Sequence, residues 1–590
     1  MINEFKYGVD NIDRLIDITF DDNINLIGVT TSSNIDIDNY KHNGINSIYL
    51  KLDKDLKIID KICNEKEMYF KGECDYNSKE EKLYLKKNSE LLLNTYFNSF
   101  SVGKWKKYTN IKDVTFKFSA GCKCIVKAFH AVPETDKERI YQERRNENLR
   151  FDIDEISGNI SQFINVTKTD VDIELLETVK DGYEYSAKFS ELFYAGIVYV
   201  SIISEEDTCI SDIGYYTDFS EEELNRVKFA IGICTFKREQ DVIKNVQKIK
   251  NEIIDDEHSV LNKKLEVYIS DNGQTLPKDL FNSSSIHVFP NINLGGSAGF
   301  TRTIIESMIN DKEKGFTHII LMDDDMIFSS SVLEKTFLFL SLLKREYSLF
   351  MIGGAMFFED KRTFQLESGA LYDGTNYFKS SNRFFDMRNE KFVVENEVVK
   401  NINYQGWWYS CIPAAVINEK NLPLPFFIHF DDIEYGVRNF SNELILLNGI
   451  CAWHPQFINK SPVWVNYYDI RNYLIMSSLY KEDNKLKYFS LVKTFGYFIL
   501  SHRYKESSLL LKAINDFNKG FDYFKNLDAP KLQQDLFTYK YISKTPEELQ
   551  ININSENLNE HKTLSFYKTI FIQLLCIFFP VSKKNKSCTA

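Results

Sequence analysis

Three consecutive aspartates, Asp323, Asp324 and Asp325, follow the apolar run His318-Ile319-Ile320-Leu321-Met322. Carboxylates crowded at the end of a buried strand repel one another in a low-dielectric setting, so the pattern asks for a positive charge. A divalent cation answers it most simply. Asp323 and Asp325 can both face one ion from a turn, and their hard oxygens suit Mn2+ or Mg2+ together with a diphosphate held by that ion. The alternative is an acidic surface turn, against which stand the apolar residues on both sides, Met326-Ile327-Phe328 included.

A second acidic group lies in Phe426-Phe427-Ile428-His429-Phe430-Asp431-Asp432-Ile433-Glu434, just after Leu422-Pro423-Leu424-Pro425. A carboxylate among aromatic rings can have its pKa raised to a value useful in a general base that deprotonates a hydroxyl. Asp431 or Asp432 can play that part while the other holds the acceptor; capping a helix that begins near Ile433 is the competing role. His454, in Cys451-Ala452-Trp453-His454-Pro455, is either a structural histidine or the nitrogen donor completing an aspartate-based metal site. Trp407 and Trp408 offer flat rings that stack on sugar faces, or they are two core residues. The loop Leu294-Gly295-Gly296-Ser297-Ala298-Gly299 has neither dinucleotide spacing nor a Walker lysine, so it supports only a close backbone approach to a ligand. Asn293 and Arg302 flank it, where they can reach a sugar or a phosphate.

These residues need elements to position them. From about residue 226, buried strands alternate with amphipathic helices, the signature of βαβ units and a parallel sheet. Strands are expected at 228–234, 265–270, 286–289 and 318–322, with a helix over 239–251. The polar groups collect after the strand C-termini, the edge at which open α/β sheets bind ligands. Before residue 226, short alternating runs such as Ser47–Leu52, Val114–Phe118, Cys124–Phe129 and Gly196–Ile203 have the cadence of a β-sandwich. Beyond 478 the spacing of Leu510, Ile514 and Phe517 is helical. The expected division is therefore 1–225 β-rich, 226–477 α/β and 478–590 helical.

Composition narrows the function classes. A chain of 590 residues, 43% hydrophobic and 26% charged, with 25 Gly and 11 Pro, is a folded multidomain protein and neither collagenous nor low in complexity. The mean hydropathy is −0.31, and no apolar run approaches the roughly 20 residues that cross a bilayer. The start shows no secretory pattern, so a cytoplasmic location is expected. Ten cysteines show no zinc-finger or disulfide-framework spacing. The net charge of −12 argues against a nucleic-acid binder. From Lys481 onward, however, 17 Lys and Arg outnumber 11 Asp and Glu. There the apolar stretch Thr569–Phe579 precedes Lys583, Lys584 and Lys586, which fits a helix lying on an anionic membrane surface, or a buried helix with a solvated tail. The sequence leaves a homo-oligomer open.

Taken in order, several segments resemble the GT-A glycosyltransferases of family 2, and more narrowly the bacterial cell-wall galactofuranosyltransferases that use UDP-galactofuranose. They are Cys234-Thr235-Phe236-Lys237-Arg238, Asn293–Gly296, Asp323–Asp325, Gly406-Trp407-Trp408, Pro423–Ile428, Asp431-Asp432, Trp453-His454 and Tyr467–Asn472. Thr95–Phe100, with Trp105 and Thr109, is similar to that family's N-terminal sandwich. Phe430 and Asp469 depart from the pattern, standing where the family carries Trp and His.

The resemblance implies a GT-A (Rossmann-like) central domain between an N-terminal β-sandwich and a C-terminal helical domain. It implies Asp323, Asp325 and His454 as ligands of Mn2+ or Mg2+, and Asp432 as catalytic base. Asp431, Trp407, Trp408 and Glu367 would hold the acceptor or donor sugar, while Arg238, Asp271, Asn293 and Asp324 would meet the UDP-sugar. The expected reaction is inverting transfer of galactofuranose to a glycan or polyprenyl-linked acceptor at the inner face of the plasma membrane. A rhamnosyl- or other hexosyltransferase, or a non-catalytic glycan-binding subunit on the same fold, are the competing readings.

Overall fold

The computed structural model describes residues 15–20, 24–28, 71–72, 74–77, 82–134, 157–158, 160–162 and 164–541, apart from 181, 190–193, 278, 375–377, 399, 442, 456–461 and 481–483. The expected strand at Ser47–Leu52 and the apolar stretch Thr569–Phe579 lie outside the described residues. The chain divides into two compact units, the smaller formed from 1–64, 142–152 and 540–580. Its described part is chiefly the antiparallel pair Leu15–Phe20 and Ile24–Gly28.

The larger unit is a mixed α/β assembly. Its N-terminal half holds two antiparallel sheets, of six and five strands. Alternation does the sorting here: Thr115–Ala120 buries every second residue, as a strand with one wet and one dry face must. Phe116, Phe118, Tyr185 and Ile210 from the six-stranded sheet share a core with Leu91, Ala128, Val200 and Ile202 from the five-stranded one. That core runs on into the next sheet through Trp105, whose ring meets Phe339 edge-on at 5.0 Å. Tyr96 also donates to the Ile450 carbonyl at 2.9 Å.

Nine strands make the central sheet. In chain order these are β1 (Phe229–Thr235), β2 (Leu265–Asp271), β3 (Ile286–Pro290), β4 (His318–Asp323), β5 (Met351–Phe358), β6 (Phe364–Glu367), β7 (Phe385–Asp386), β8 (Ser410–Pro413) and β9 (Leu444–His454). Their order is β3-β2-β1-β4-β8-β5-β6-β7, with β9 paired to β5. The first four are parallel and nearly all buried, which explains why they read as continuous apolar runs. Register aligns Thr235 with Asp271 and Cys234 with Asp323, so the polar strand ends meet at one edge. Beyond β4 the sheet turns antiparallel through β8, a reversal that βαβ periodicity does not announce.

Helices α1 (Glu239–Ile249) and α2 (Gly295–Ile304) follow β1 and β3, and α3 (Ser330–Ser341) follows β4. Helix α4 (Asp431–Asn439) precedes β9, and α5 (Val465–Tyr480) follows it. The expected boundary at 477 falls inside α5. Beyond it come α6 (Asn484–Leu500), α7 (Tyr504–Asn518), α8 (Phe521–Lys525) and α9 (Ala529–Leu536). Tyr467 donates to Asp516 at 2.9 Å and Tyr468 to Gln533 at 2.8 Å, so the C-terminal helices brace α5. No helix among the described residues is long and apolar enough to cross a membrane.

Candidate active site

The aspartate triplet is built by strand and turn. β4 carries Asp323 to the sheet edge, and the turn behind it is clamped by Asn245 of α1, which donates to the carbonyls of Asp324 (2.9 Å) and Met326 (2.7 Å). Asp324 accepts from Thr235 Oγ1 at 2.8 Å and from Arg238 Nη1 at 3.1 Å. The same guanidinium nitrogen lies 2.6 Å from Asp325 Oδ2. Burial first, then the charges of Asp325 and Asp324, push Asp323 up to about 8 against the pull of Arg238. Asp324 is pushed up to about 6 by burial.

His454 reaches this corner because Ile327 and Trp453 exchange backbone hydrogen bonds of 2.9 and 2.8 Å, laying the end of β9 beside the triplet. Its Nε2 is 3.5 Å from Asp325 Oδ1. Its Nδ1 is 2.6 Å from the Pro455 carbonyl, which can only accept, so Nδ1 carries a proton. In the neutral ring the Nε2 lone pair then faces a carboxylate, an arrangement that a bound cation resolves. Among the described residues no three acidic, His or Cys side chains gather around a point as a complete metal cage. A carboxylate and an imidazole that leave further positions to a ligand's phosphates nevertheless suit Mn2+ or Mg2+.

Asp431 and Asp432 open α4 by a different construction. Phe427, His429 and Phe430 have φ of 74°, 61° and 71°, left-handed backbone that bulky residues adopt only under constraint. Asn472 of α5, fully buried, donates to the carbonyls of Phe426, Ile428 and His429 at 3.2, 2.8 and 3.0 Å, and Arg471 also donates to Phe426. The Phe427 ring stacks on Tyr468 at 4.8 Å. From the other side the glycine-rich turn presses in: a Cβ on Gly295, whose φ is 84°, would collide with the Phe427 carbonyl, and Ser297 donates to Leu424 at 2.7 Å.

The two acidic groups are linked through Asn272, which reaches Cys234 Sγ at 3.4 Å and donates to the Gly295 carbonyl at 2.9 Å, and through Ser297, whose amide donates to the Phe427 carbonyl at 3.3 Å. Burial raises the Cys234 thiol, and the charges of Asp324, Asp323, Asp431 and Asp271 raise it further. Asp431 likewise adds to the upward shift of Asp323. Asp432 is raised by burial, then by Asp431 and, in smaller part, by Glu367 at the end of β6, while His429 opposes. Glu367 is itself raised by burial, offset in part by Ser380 and Arg383. The structure thus brings Asp323, Asp324, Asp325, Arg238, His454, Asp431, Asp432 and Glu367 together.

Four expected ligand contacts take another form. Asp271 is fully buried, and its carboxylate accepts the amides of Gly273, Thr275 and Leu276 at 3.0, 2.6 and 2.7 Å, so it shapes the turn after β2. Asn293 accepts the Gly295 amide at 3.1 Å and sets the glycine turn. Trp407, 6% exposed, packs edge-on between Phe300 of α2 and Tyr435 of α4, spacing those helices. Trp408, 7% exposed, donates to the Gly354 carbonyl at 2.8 Å. With so little surface open, neither tryptophan presents the flat sugar platform expected from the sequence. Arg471, Asn472, Asn245 and Thr235 had no assigned role there, and nothing short of knowing their partners marks them.

No family model matches the chain. It is 23% identical over 474 residues to galactofuranosyltransferase GlfT2 of Mycobacterium tuberculosis, covering 76% of this chain and 68% of that one. Galactofuranosyltransferase GlfT2 of Mycolicibacterium smegmatis is 27% identical over 311 residues, 48% of this chain and 46% of that one. The mannosyltransferase PcManGT of Pyrobaculum calidifontis, solved with GDP-Man and Mn2+, aligns with 62% of this chain and 91% of its own at 8% identity. Its TM-score of 0.28 gives that likeness no weight. The relatives of this chain are galactofuranosyltransferases, and it is a glycosyltransferase.

Proposed function

We propose that the chain transfers galactofuranose from UDP-galactofuranose, with inversion at the anomeric carbon, to a hydroxyl of a glycan or lipid-linked glycan in cell-surface polysaccharide synthesis. The observation that carries this reading is the convergence of the two acidic corners, linked through Asn272, Gly295 and Phe427, with His454 Nε2 3.5 Å from Asp325. Asp432 takes the proton of the acceptor hydroxyl as its oxygen forms the new bond to the anomeric carbon. The bond from that carbon to the diphosphate oxygen breaks, and its electron pair leaves with UDP. Burial favours the proton on Asp432, which suits a base that must receive one.

Of the three expected ligands, Asp325 and His454 would hold Mn2+ or Mg2+, with Asp323 at the end of the adjoining strand, and the ion when bound would offset the charge developing on the departing diphosphate. Arg238, already on Asp324 and Asp325, is placed to meet the same phosphates. Asp431 and Glu367 orient the acceptor, and Trp407 and Trp408 support the wall behind it. Asp271 and Asn293 serve the nucleotide through the turns they shape.

The same proposal divides the chain into a sandwich (1–225), a GT-A catalytic domain (226–477) and a helical domain (478–590) that meets the membrane surface. The test is a panel of nucleotide sugars with Mn2+ and a short lipid-linked galactofuranosyl acceptor, the product being identified by mass and NMR. Turnover of UDP-galactofuranose with an inverted linkage is expected. Turnover of dTDP-rhamnose in its place would reject the donor assignment.

A further inference from the structure

His429 stands two residues before Asp431 and takes no part in the mechanism above. Its Nδ1 is 2.6 Å from Asp469 Oδ1, so α5 grips the ring as well as the backbone carbonyl, which accepts from Asn472. Both side chains are 44% exposed, and an ion pair so open to water adds little stability. Its place is what distinguishes it, for its charge acts on Asp431 and Asp432 alike. The other groups facing Asp432 are Asp431 on the same helix, Glu367 from β6 and the buried Tyr404 hydroxyl, of which the two carboxylates favour keeping a proton on it. His429 supplies the positive charge that acts on Asp432 itself, while Arg383 is the neighbouring cation that acts on Glu367 and Tyr404.

We propose that His429, held by Asp469, is a positioning residue that sets a fixed positive charge beside the acceptor-side carboxylates and keeps Asp432 ionised during turnover. Partial desolvation of the ring opposes the charge, but Asp469, then Asp431 and Asp432, carry the imidazole up to about 9, so it stays charged through neutral pH. The inference rests on Asp432 being the base.

Removing the cation leaves Asp432 beside Asp431 and Glu367 alone, raises its pKa and moves the acid limb of kcat to higher pH; a neighbouring charge is worth about 1 unit at this degree of exposure. The experiment measures kcat and donor KM from pH 5 to 9 for the full chain, His429→Gln, Asp469→Asn and His429→Arg, with Mn2+ and whichever sugar nucleotide of the panel is turned over. In His429→Gln and Asp469→Asn the acid limb should move up by about one pH unit, with kcat lowered about tenfold on that limb and donor KM unchanged. His429→Arg should keep the parent profile.

An unmoved limb in both charge-removing variants, or a His429→Arg profile like that of His429→Gln, overturns the proposal. Should one of the two fail to fold by circular dichroism, the other reads the same limb. Asp432→Asn separates the two layers: if it turns over normally the base assignment falls, whereas an inactive Asp432→Asn with an unmoved His429→Gln limb removes only the role of the pair.

Discussion

Asp323, Asp324 and Asp325 stand on the end of a straight parallel strand, whereas Asp431 and Asp432 begin a helix reached through a loop with three residues of left-handed backbone. The first corner is made by local means. Its strand, turn, Thr235 and Arg238 come from neighbouring β1 and β4 and the residues directly after them, and Asn245 ties the turn shut. The second is held from outside. Left-handed backbone at Phe427, His429 and Phe430 costs about 1–3 kcal/mol per residue and persists only because surrounding groups over-determine it. Those groups are Asn472, Arg471 and Tyr468 of α5, itself braced by α7 and α9. In the proposed reaction a rigid edge suits a donor whose diphosphate and cation are the same in every cycle. A propped loop suits an acceptor side whose geometry must be set finely against it.

The largest effect expected is on the propped side. Asp432→Asn keeps the shape but cannot take the proton, so transfer should fall by about 10²–10⁴ while UDP-sugar affinity stays within twofold. Isothermal titration of the sugar nucleotide together with a coupled UDP-release assay reads both. A loss of donor binding equal to the loss of rate would mean that this carboxylate belongs to the donor corner, and the contrast between the corners would disappear.

The complementary break is on the strand side. Asp325→Ala and His454→Ala each remove one of two groups 3.5 Å apart, and half-maximal activity should need about 10²-fold more Mn2+. The acid limb should stay where Asp432 puts it. Metal titrations at fixed pH check this, and an unchanged Mn2+ requirement in both variants would remove the cation from that corner.

How far each corner was legible follows from how it is made. Asp323–Asp325 could be read because a buried strand announces itself by an apolar run and its end by polar residues, both within ten positions of sequence. His454 could be named but not placed, since the Ile327–Trp453 bridge that brings it in spans more than a hundred residues. The Asp431–Asp432 pair was visible as composition, yet its support was not. Asn472 is an ordinary asparagine on a helix until its three carbonyl partners are known. The tryptophans left two readings open for a related reason: an aromatic pair before a strand looks the same in sequence whether it stacks on a sugar or spaces two helices. The antiparallel switch at β8 was missed because a four-residue strand carries no period to count.

A middle-sized effect tests the prop itself. Asn472→Ala takes the side-chain donor from the Ile428 and His429 carbonyls and leaves that of Phe426 to Arg471 alone, which should cost about 1–3 kcal/mol in thermal or denaturant unfolding. Because the left-handed segment then relaxes, transfer should slow about tenfold or more at constant donor affinity, in line with the sensitivity of catalysis to small misplacements. A stability loss with an unchanged kcat would show that α4 keeps its place without α5.

The smallest effect concerns a residue on which the two readings of the acceptor wall diverge. Trp408 donates its indole N–H to the Gly354 carbonyl, which also accepts from Gln405 Nε2 at 2.7 Å, so Trp408→Phe leaves that oxygen satisfied. What is lost is one hydrogen bond and some packing against Gly406, about 1–2 kcal/mol of unfolding free energy. As a buried support, the position should change acceptor KM less than twofold. A tenfold rise in acceptor KM without loss of stability would instead make the ring a sugar platform, and the acceptor side would then read its ligand through an aromatic face as well as through Asp431 and Glu367.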